Sequence, residues 1–162
     1  MTSDSSTPKR RVLFVCLGNI CRSPAAEGVL QTLAVQQGVA DDIFVDSAGT
    51  SSYHIGEPAD RRMRLAASNR DIELTSRSRM VSPRDIAEFD LVIAMDHKNL
   101  RELKALVNEV ESQHIRLLSD YLEGDWPDEV PDPYYGGDEG FEQVLDMLQA
   151  ASPAILDELL TA

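Results

Sequence analysis

The sequence predicts an α/β fold built on a parallel sheet. Short apolar runs alternate with segments of helical periodicity, the pattern of βαβ units with right-handed crossovers. Two of those runs, residues 12–16 (VLFVC) and 91–95 (LVIAM), lack polar alternation, so both of their faces are covered, as in buried parallel strands. From Arg11 onward there is no second linker, no low-complexity segment and no fixed-period repeat.

The elements follow in chain order. Residues 1–10 (MTSDSSTPKR) are small, polar and Pro-containing; they are expected to form a disordered tail, leaving 11–162 as one domain. The first strand is 12–16. A helix over 24–37 carries Ala26, Val29, Leu30 and Leu33 on one face, with Gly38 placed to end it. A second strand covers 43–46 (IFVD), and a second helix, 60–69, has Met63, Ala66 and Ala67 on one side. Ser82 reads as an N-cap with Pro83 at the first helical position of a short helix to about residue 88. The third strand is 91–95, followed by a helix over 98–107 with Leu100, Leu103, Leu106 and Val107 as its stripe. His114 leads into a fourth strand, 115–118 (IRLL). The last helix shows Phe141, Val144, Leu145 and Leu148 at helical spacing, and Pro153 is expected to kink or restart it.

Composition narrows the function. The chain has 162 residues, 43% of them hydrophobic, enough for a buried core. Fifteen Lys and Arg against 28 Asp and Glu leave a net charge of −13. That balance argues against general nucleic-acid binding and against an anionic membrane surface. No window approaches the ~20 apolar residues of a membrane span. Lys9-Arg10-Arg11 with the apolar stretch behind it is too short for a signal peptide. Two cysteines do not make a disulfide scaffold. The expectation is a cytoplasmic protein.

In an open parallel sheet, ligands sit at the carboxyl ends of the strands. The loop after the first strand is Cys16-Leu17-Gly18-Asn19-Ile20-Cys21-Arg22-Ser23, and Arg22-Ser23-Pro24 opens a helix. A cysteine, five residues and an arginine can wrap into a ring of inward N–H groups on a helix N-terminus, an anion cradle. Gly18 permits a positive φ, and Asn19 is the next most tolerant of one. The planar fork of Arg22 suits two oxygens of a tetrahedral dianion. Ser23 can hydrogen-bond the Cys16 sulfur. The N–H groups, the helix terminus and Arg22 all favour a thiolate at Cys16, an activated nucleophile.

Cleaving an aryl phosphate also needs a proton for the leaving phenolate, which a thiolate cannot supply. Asp132 sits between Pro131 and Pro133, which stiffen the backbone on both sides, with Gly136-Gly137 beyond. On spacing alone it is equally a turn residue, and Asp96, Asp120, Asp125, Asp128 and Asp138 compete with it. Asp96, after the third strand, reads as a helix N-cap. His54, His97 and His114 show no metal-ligand spacing.

Residues 12–25, Asp46-Ser47-Ala48-Gly49-Thr50 and Asp132-Pro133-Tyr134-Tyr135-Gly136-Gly137 together resemble the low molecular weight protein tyrosine phosphatases, in the family's order and spacing. The resemblance covers residue 11 to about 160. It implies a three-layer fold with a four-stranded parallel sheet flanked by helices, no metal, no cofactor and a phosphocysteine intermediate. It makes Cys16 the nucleophile, Arg22 the phosphate-binding arginine and Asp132 the general acid, later the base for hydrolysis of phosphocysteine. Leu17, Gly18, Asn19, Ile20, Cys21 and Ser23 complete the phosphate loop, with Ser23 assisting the leaving thiolate. Ser47 is expected to hydrogen-bond Asn19. Ser76 occupies a position where the family often carries histidine, a departure that removes a group able to hold charge near pH 7. Tyr53, His54, Tyr134 and Tyr135 are expected at the rim, since phosphotyrosine calls for a deep cleft with flat apolar walls. Cys21 is the expected redox partner of Cys16.

The expected activity is hydrolysis of phosphotyrosine in proteins, releasing inorganic phosphate, by a monomer or at most a weak dimer. Arsenate reduction is disfavoured because it usually needs further cysteines outside the loop. Phosphoarginine hydrolysis is disfavoured by Ile20, where its enzymes tend to have threonine, and by Tyr134-Tyr135. A non-catalytic phosphate-binding redox sensor would need no Asp132. Arg61, Arg62, Arg64, Arg77, Arg79 and Arg84 are candidates for a local basic patch that receives substrate.

Overall fold

The computed structural model describes residues 9–134 and 136–161. The expected tail lies outside the described residues up to residue 8. Arg10, assigned to that tail, instead opens the first strand.

β1 (Arg10–Cys16) runs straight into the loop, and α1 (Arg22–Gln36) follows. After a 3₁₀ turn come β2 (Ile43–Gly49) and α2 (Arg61–Ser68). Then come α3 (Pro83–Glu88), β3 (Leu91–Ala94), α4 (His97–Ala105), β4 (Ile115–Leu117) and α5 (Asp138–Thr161). The four strands form one parallel sheet in the order β2-β1-β3-β4. The chain leaves β1 to one side for β2 and returns to its other side for β3. That reversal puts a crevice at the carboxyl end of β1, where parallel sheets bind ligands.

Alternation along β1 divides the core. Val12, Phe14 and Cys16 face the layer of α1 and α5, with Leu30, Met63, Phe141 and Leu145 fully buried there. Leu13 and Val15 face the opposite layer, against Ile86, Phe89 and Leu103 of the α3–α4 side. Helices cover both faces, which is why β1 and β3 read as continuous apolar runs.

The expected caps are present. Ser82 and Asp85 form a capping box at α3, and Asp60, expected within the second helix, is instead the N-cap of α2, accepting from the N–H groups of Arg62 and Met63. Asp96 accepts from Asn99 N–H at α4. Gly38, at φ +73°, follows the end of α1. The sheet's ends differ from expectation by one to three residues, chiefly because β2 continues to Gly49. Pro153 neither breaks nor restarts α5, which is one helix. Leu148 and Ala151 before it and Ile155, Leu156 and Leu159 after it are all buried, so packing on both sides outweighs the one lost hydrogen bond. No described helix is long and apolar enough to cross a membrane.

Candidate active site

The loop between β1 and α1 is held rigidly from behind. Asn19 carries the positive φ, +58°, and Gly18 does not. Asparagine tolerates this conformation, and its buried side chain contributes what glycine could not. Its Nδ2 donates to Ser23 Oγ at 2.7 Å, and its Oδ1 accepts from Arg79 N–H at 3.0 Å. Ser78 Oγ donates to Gly18 C=O at 2.9 Å. Gly49 is required by close approach: a Cβ there would lie 2.7 Å from Leu17 C=O and 3.1 Å from Asn19 Cβ.

Within this frame Cys16 and Ser23 are in hydrogen-bond contact, Sγ to Oγ 3.1 Å, and both are buried. Cys21 is the residue at the N-cap of α1. Among the described residues, the backbone N–H groups of 17–21 donate to no protein acceptor. A ring of free donors beside a helix N-terminus is an anion cradle. Arg22, 2% exposed, stands at its edge. Its Nη1 donates to Asp96 Oδ2 at 2.7 Å and to Val130 C=O at 3.1 Å, and its Nη2 lies 3.7 Å from Asp132 Oδ2. Burial opposes the charge of Arg22, but nearby Cys16 and the bond to Asp96 outweigh it and hold the guanidinium firmly protonated.

Asp96 therefore does two jobs. One carboxylate oxygen caps α4, and the other fixes the Arg22 guanidinium. Sequence reasoning found only the cap. The available signal was its place directly after a buried strand, at the carboxyl edge of the sheet.

Ser47 lies on β2 beside β1, but it does not make the expected bond to Asn19. Its hydroxyl donates to Glu27 Oε1 at 2.7 Å, and Asn19 is satisfied by Ser23 and Arg79 instead. Glu27 was missed in the sequence because nothing marks a mid-helix glutamate. Burial raises its pKa, the hydroxyls of Ser47 and Ser76 and the charge of Arg79 oppose that, and Asp46 adds to it. Ser76 thus faces Glu27. The Cys21 thiol is also pushed up, by burial first and then by Asp60, Cys16 and Asp132.

Cys16, Cys21 and Ile20 line a cleft of ≈ 530 Å³ with Asp132, Tyr53 and Tyr134 on its walls. His54 joins the two tyrosines: its ring meets Tyr53 edge-on at 5.1 Å and Tyr134 at 6.0 Å. Its Nδ1 is 3.1 Å from Glu57 Oε1, and the ring lies over Gly18. Tyr53 is 84% exposed, so it forms an outer lip and not a core contact. Tyr135 lies outside the described residues. A larger groove, ≈ 690 Å³, lies elsewhere, lined by Arg61 and Arg64 against Asp71 and Glu73. No cysteine lines it, whereas the smaller cleft holds Cys16 and Cys21.

The expected basic patch does not gather at the cleft. Arg79 is taken up by Asp46 and Asp85, Arg84 by Glu88 and Arg62 by Asp60. Among the described residues, no group of three or more His, Cys, Asp or Glu side chains could hold a metal ion.

The sequence profile described as low molecular weight phosphotyrosine protein phosphatase matches residues 11–162. The chain belongs to that family. The phosphatase is 41% identical over 151 residues to a low molecular weight protein-tyrosine-phosphatase of Streptomyces coelicolor, covering 90% of this chain and 91% of the relative. It superposes on a protein tyrosine phosphatase from Entamoeba histolytica with a TM-score of 0.91, at 42% identity and over 94% and 98% of the two chains. A Drosophila arginine phosphatase is similar in fold, TM-score 0.84, at 32% identity over 91% and 96%. The site-bearing loops of this phosphatase thus sit in the frame its sequence resemblance implied.

Proposed function

We propose that this phosphatase hydrolyses phosphotyrosine in proteins by a two-step, metal- and cofactor-independent mechanism, within one catalytic domain spanning 11–162. The observation that carries the reading is the meeting, in the lining of one cleft, of a buried cysteine, at the start of a loop whose N–H groups have no protein acceptor among the described residues, and the Asp132 carboxylate. The phosphoryl group rests in the cradle, its oxygens held by N–H groups of 17–21 and by the Arg22 fork. Cys16 Sγ attacks phosphorus as the phosphorus–oxygen bond to the phenol breaks. Asp132 gives its proton to the departing oxygen. Asp132, now a carboxylate, then takes a proton from water as that water attacks phosphocysteine. Inorganic phosphate leaves and the Cys16 thiolate is restored, with Ser23 Oγ stabilising it.

The rim argues for an aryl substrate. Tyr53, His54 and Tyr134 form flat walls, and Ile20 adds an apolar surface. Cys21 acts as redox partner: a peroxide-oxidised Cys16 sulfenic acid condenses with the Cys21 thiol, releasing water and sparing the nucleophile. The protein works as a monomer in the cytoplasm.

Hydrolysis of an aryl phosphate across pH 4–9 without added metal tests the reading. Cys16→Ser abolishes turnover. Asp132→Asn lowers it by about 10²-fold or more, the range for loss of a general acid, and removes the limb of the pH profile that the acid contributes. Full activity in either variant overturns the assignment. The second reading, phosphoarginine hydrolysis, is favoured by the likeness to the Drosophila arginine phosphatase. Paired phosphotyrosine and phosphoarginine peptides decide between them, and a higher kcat/KM on phosphoarginine reverses the substrate class.

A further inference from the structure

The segment that carries Asp132 has little regular structure of its own: among the described residues of 122–137 there is no helix or strand. Its Asp132 carboxylate is 38% exposed and lies 3.7 Å from Arg22, too far for a good hydrogen bond. The backbone before it is anchored to the sheet by Val130, whose N–H donates to Met95 C=O at 2.9 Å and whose C=O accepts from Arg22. Just beyond Asp132, Arg62 of α2 holds the chain at Tyr134.

Arg62 reaches across from the first turn of α2. Its Nη2 donates to Tyr134 C=O at 2.8 Å, 72 residues away in sequence. Its guanidinium stacks over two rings, Tyr134 at 5.4 Å and the buried Phe141 at 4.8 Å. The guanidinium is itself aimed by Asp60: Nε and Nη2 lie 3.2 and 3.1 Å from the two carboxylate oxygens, a fork-to-fork pair. Asp60 in turn is tied to the phosphate loop, its N–H donating to Ile20 C=O at 2.7 Å. A continuous strut therefore runs from the loop holding the nucleophile, through Asp60 and Arg62, to the residue two places after the acid. Asp132 Oδ1 accepts from Tyr134 N–H at 3.1 Å, so the same residue that Arg62 grips also orients the carboxylate.

We propose that Arg62, aimed by Asp60, is a positioning residue for proton delivery: it sets the distance between the acid and the leaving-group oxygen. This rests on Asp132 being the general acid. An exposed ion pair contributes little to stability, so the strut's value lies in geometry. Placement matters because misalignment of about 1 Å can cost on the order of 10²-fold in rate. Arginine is needed for both the fork and the ring stacking, which lysine cannot reproduce.

The leaving-group dependence of kcat/KM separates this from a general structural role. That parameter reports steps through formation of the phosphocysteine. The substrates run from p-nitrophenyl phosphate, whose phenolate departs with little need of a proton, to phenyl phosphate, whose phenol resembles tyrosine at pKa about 10. Arg62→Ala is expected to steepen the dependence, losing about tenfold more on phenyl than on p-nitrophenyl phosphate, a fraction of what full loss of an acid costs. Arg62→Lys falls between it and wild type, and carries the test if the alanine variant does not fold. In an Asp132→Asn background Arg62→Ala adds no further steepening, because it acts through the acid. An equal loss on both substrates in Arg62→Ala and Arg62→Lys, with Asp132→Asn steepening normally, overturns the positioning role. No steepening in Asp132→Asn overturns the acid assignment instead, and the inference with it.

Discussion

Ser23 touches both groups that define the phosphate loop, the Cys16 sulfur and the Asn19 amide. Hydrogen bonds to charged groups contribute about 1.5–3 kcal/mol, so Ser23→Ala should slow release of the Cys16 thiolate from phosphocysteine by roughly 10–100-fold. A larger pre-steady-state burst followed by slower turnover is the expected result; an unchanged burst and kcat would remove Ser23 from the second step. Glu27 gives a second prediction, in stability. Its folded pKa is raised, so the folded protein binds this proton more tightly than the unfolded chain. The stability it contributes is present below the ordinary glutamate range and is lost as pH rises through the elevated value. Glu27→Gln, which keeps a partner for Ser47, should flatten the fall in melting temperature over that window; an identical pH profile would show that Glu27 does not titrate there. At this scale, Cys16, Arg22 and Ser23 were legible because the chemistry is compressed into eight consecutive residues. The Arg22–Asp96 and Ser47–Glu27 pairs were not, since they join residues 74 and 20 apart that only the sheet brings together.

The end of β2 shows what an element contributes beyond its hydrogen bonds. Gly49 pairs with Cys16 across the sheet and exchanges further backbone bonds with Arg79 and Val81. Its missing side chain lets the phosphate loop pass at contact distance. The nearest atom to a Cβ there, at 2.7 Å, is backbone, which cannot swing aside as a side-chain tip can. Gly49→Ala should destabilise the protein by about 1–3 kcal/mol, the usual cost of overpacking, and displace the cradle enough to weaken phosphate binding. Denaturant unfolding and a phosphate titration check both; neutral behaviour in both would mean that the loop relaxes freely. Sequence reasoning placed strands and caps well because burial on both faces and capping residues act locally. It misjudged Pro153 because the local cost of proline is set against burial of five residues around it, which periodicity does not weigh.

At the scale of the whole molecule, an acidic protein must take up a dianion. A net charge of −13 opposes the approach, three of the six candidate arginines are paired with neighbouring carboxylates, and none of the six lines the cleft. Attraction must therefore come from groups within a few ångströms: the N–H donors of 17–21, the N-terminus of α1 and Arg22, all buried or facing the cleft. Such short-range donors act where water is excluded, so salt screens them little. The N–H groups have no protein acceptor among the described residues, and an anion that satisfies them binds the folded state only. At a phosphate concentration of 100 times its Kd, mass action gives about 2.7 kcal/mol, or roughly 5–11 °C in melting temperature for a chain of this size. Chloride at the same ionic strength screens the global charge equally but does not match the tetrahedral cradle, so it should give a much smaller rise. Equal shifts from the two salts would mean that phosphate acts only by screening, and that the ring of donors is not an anion site.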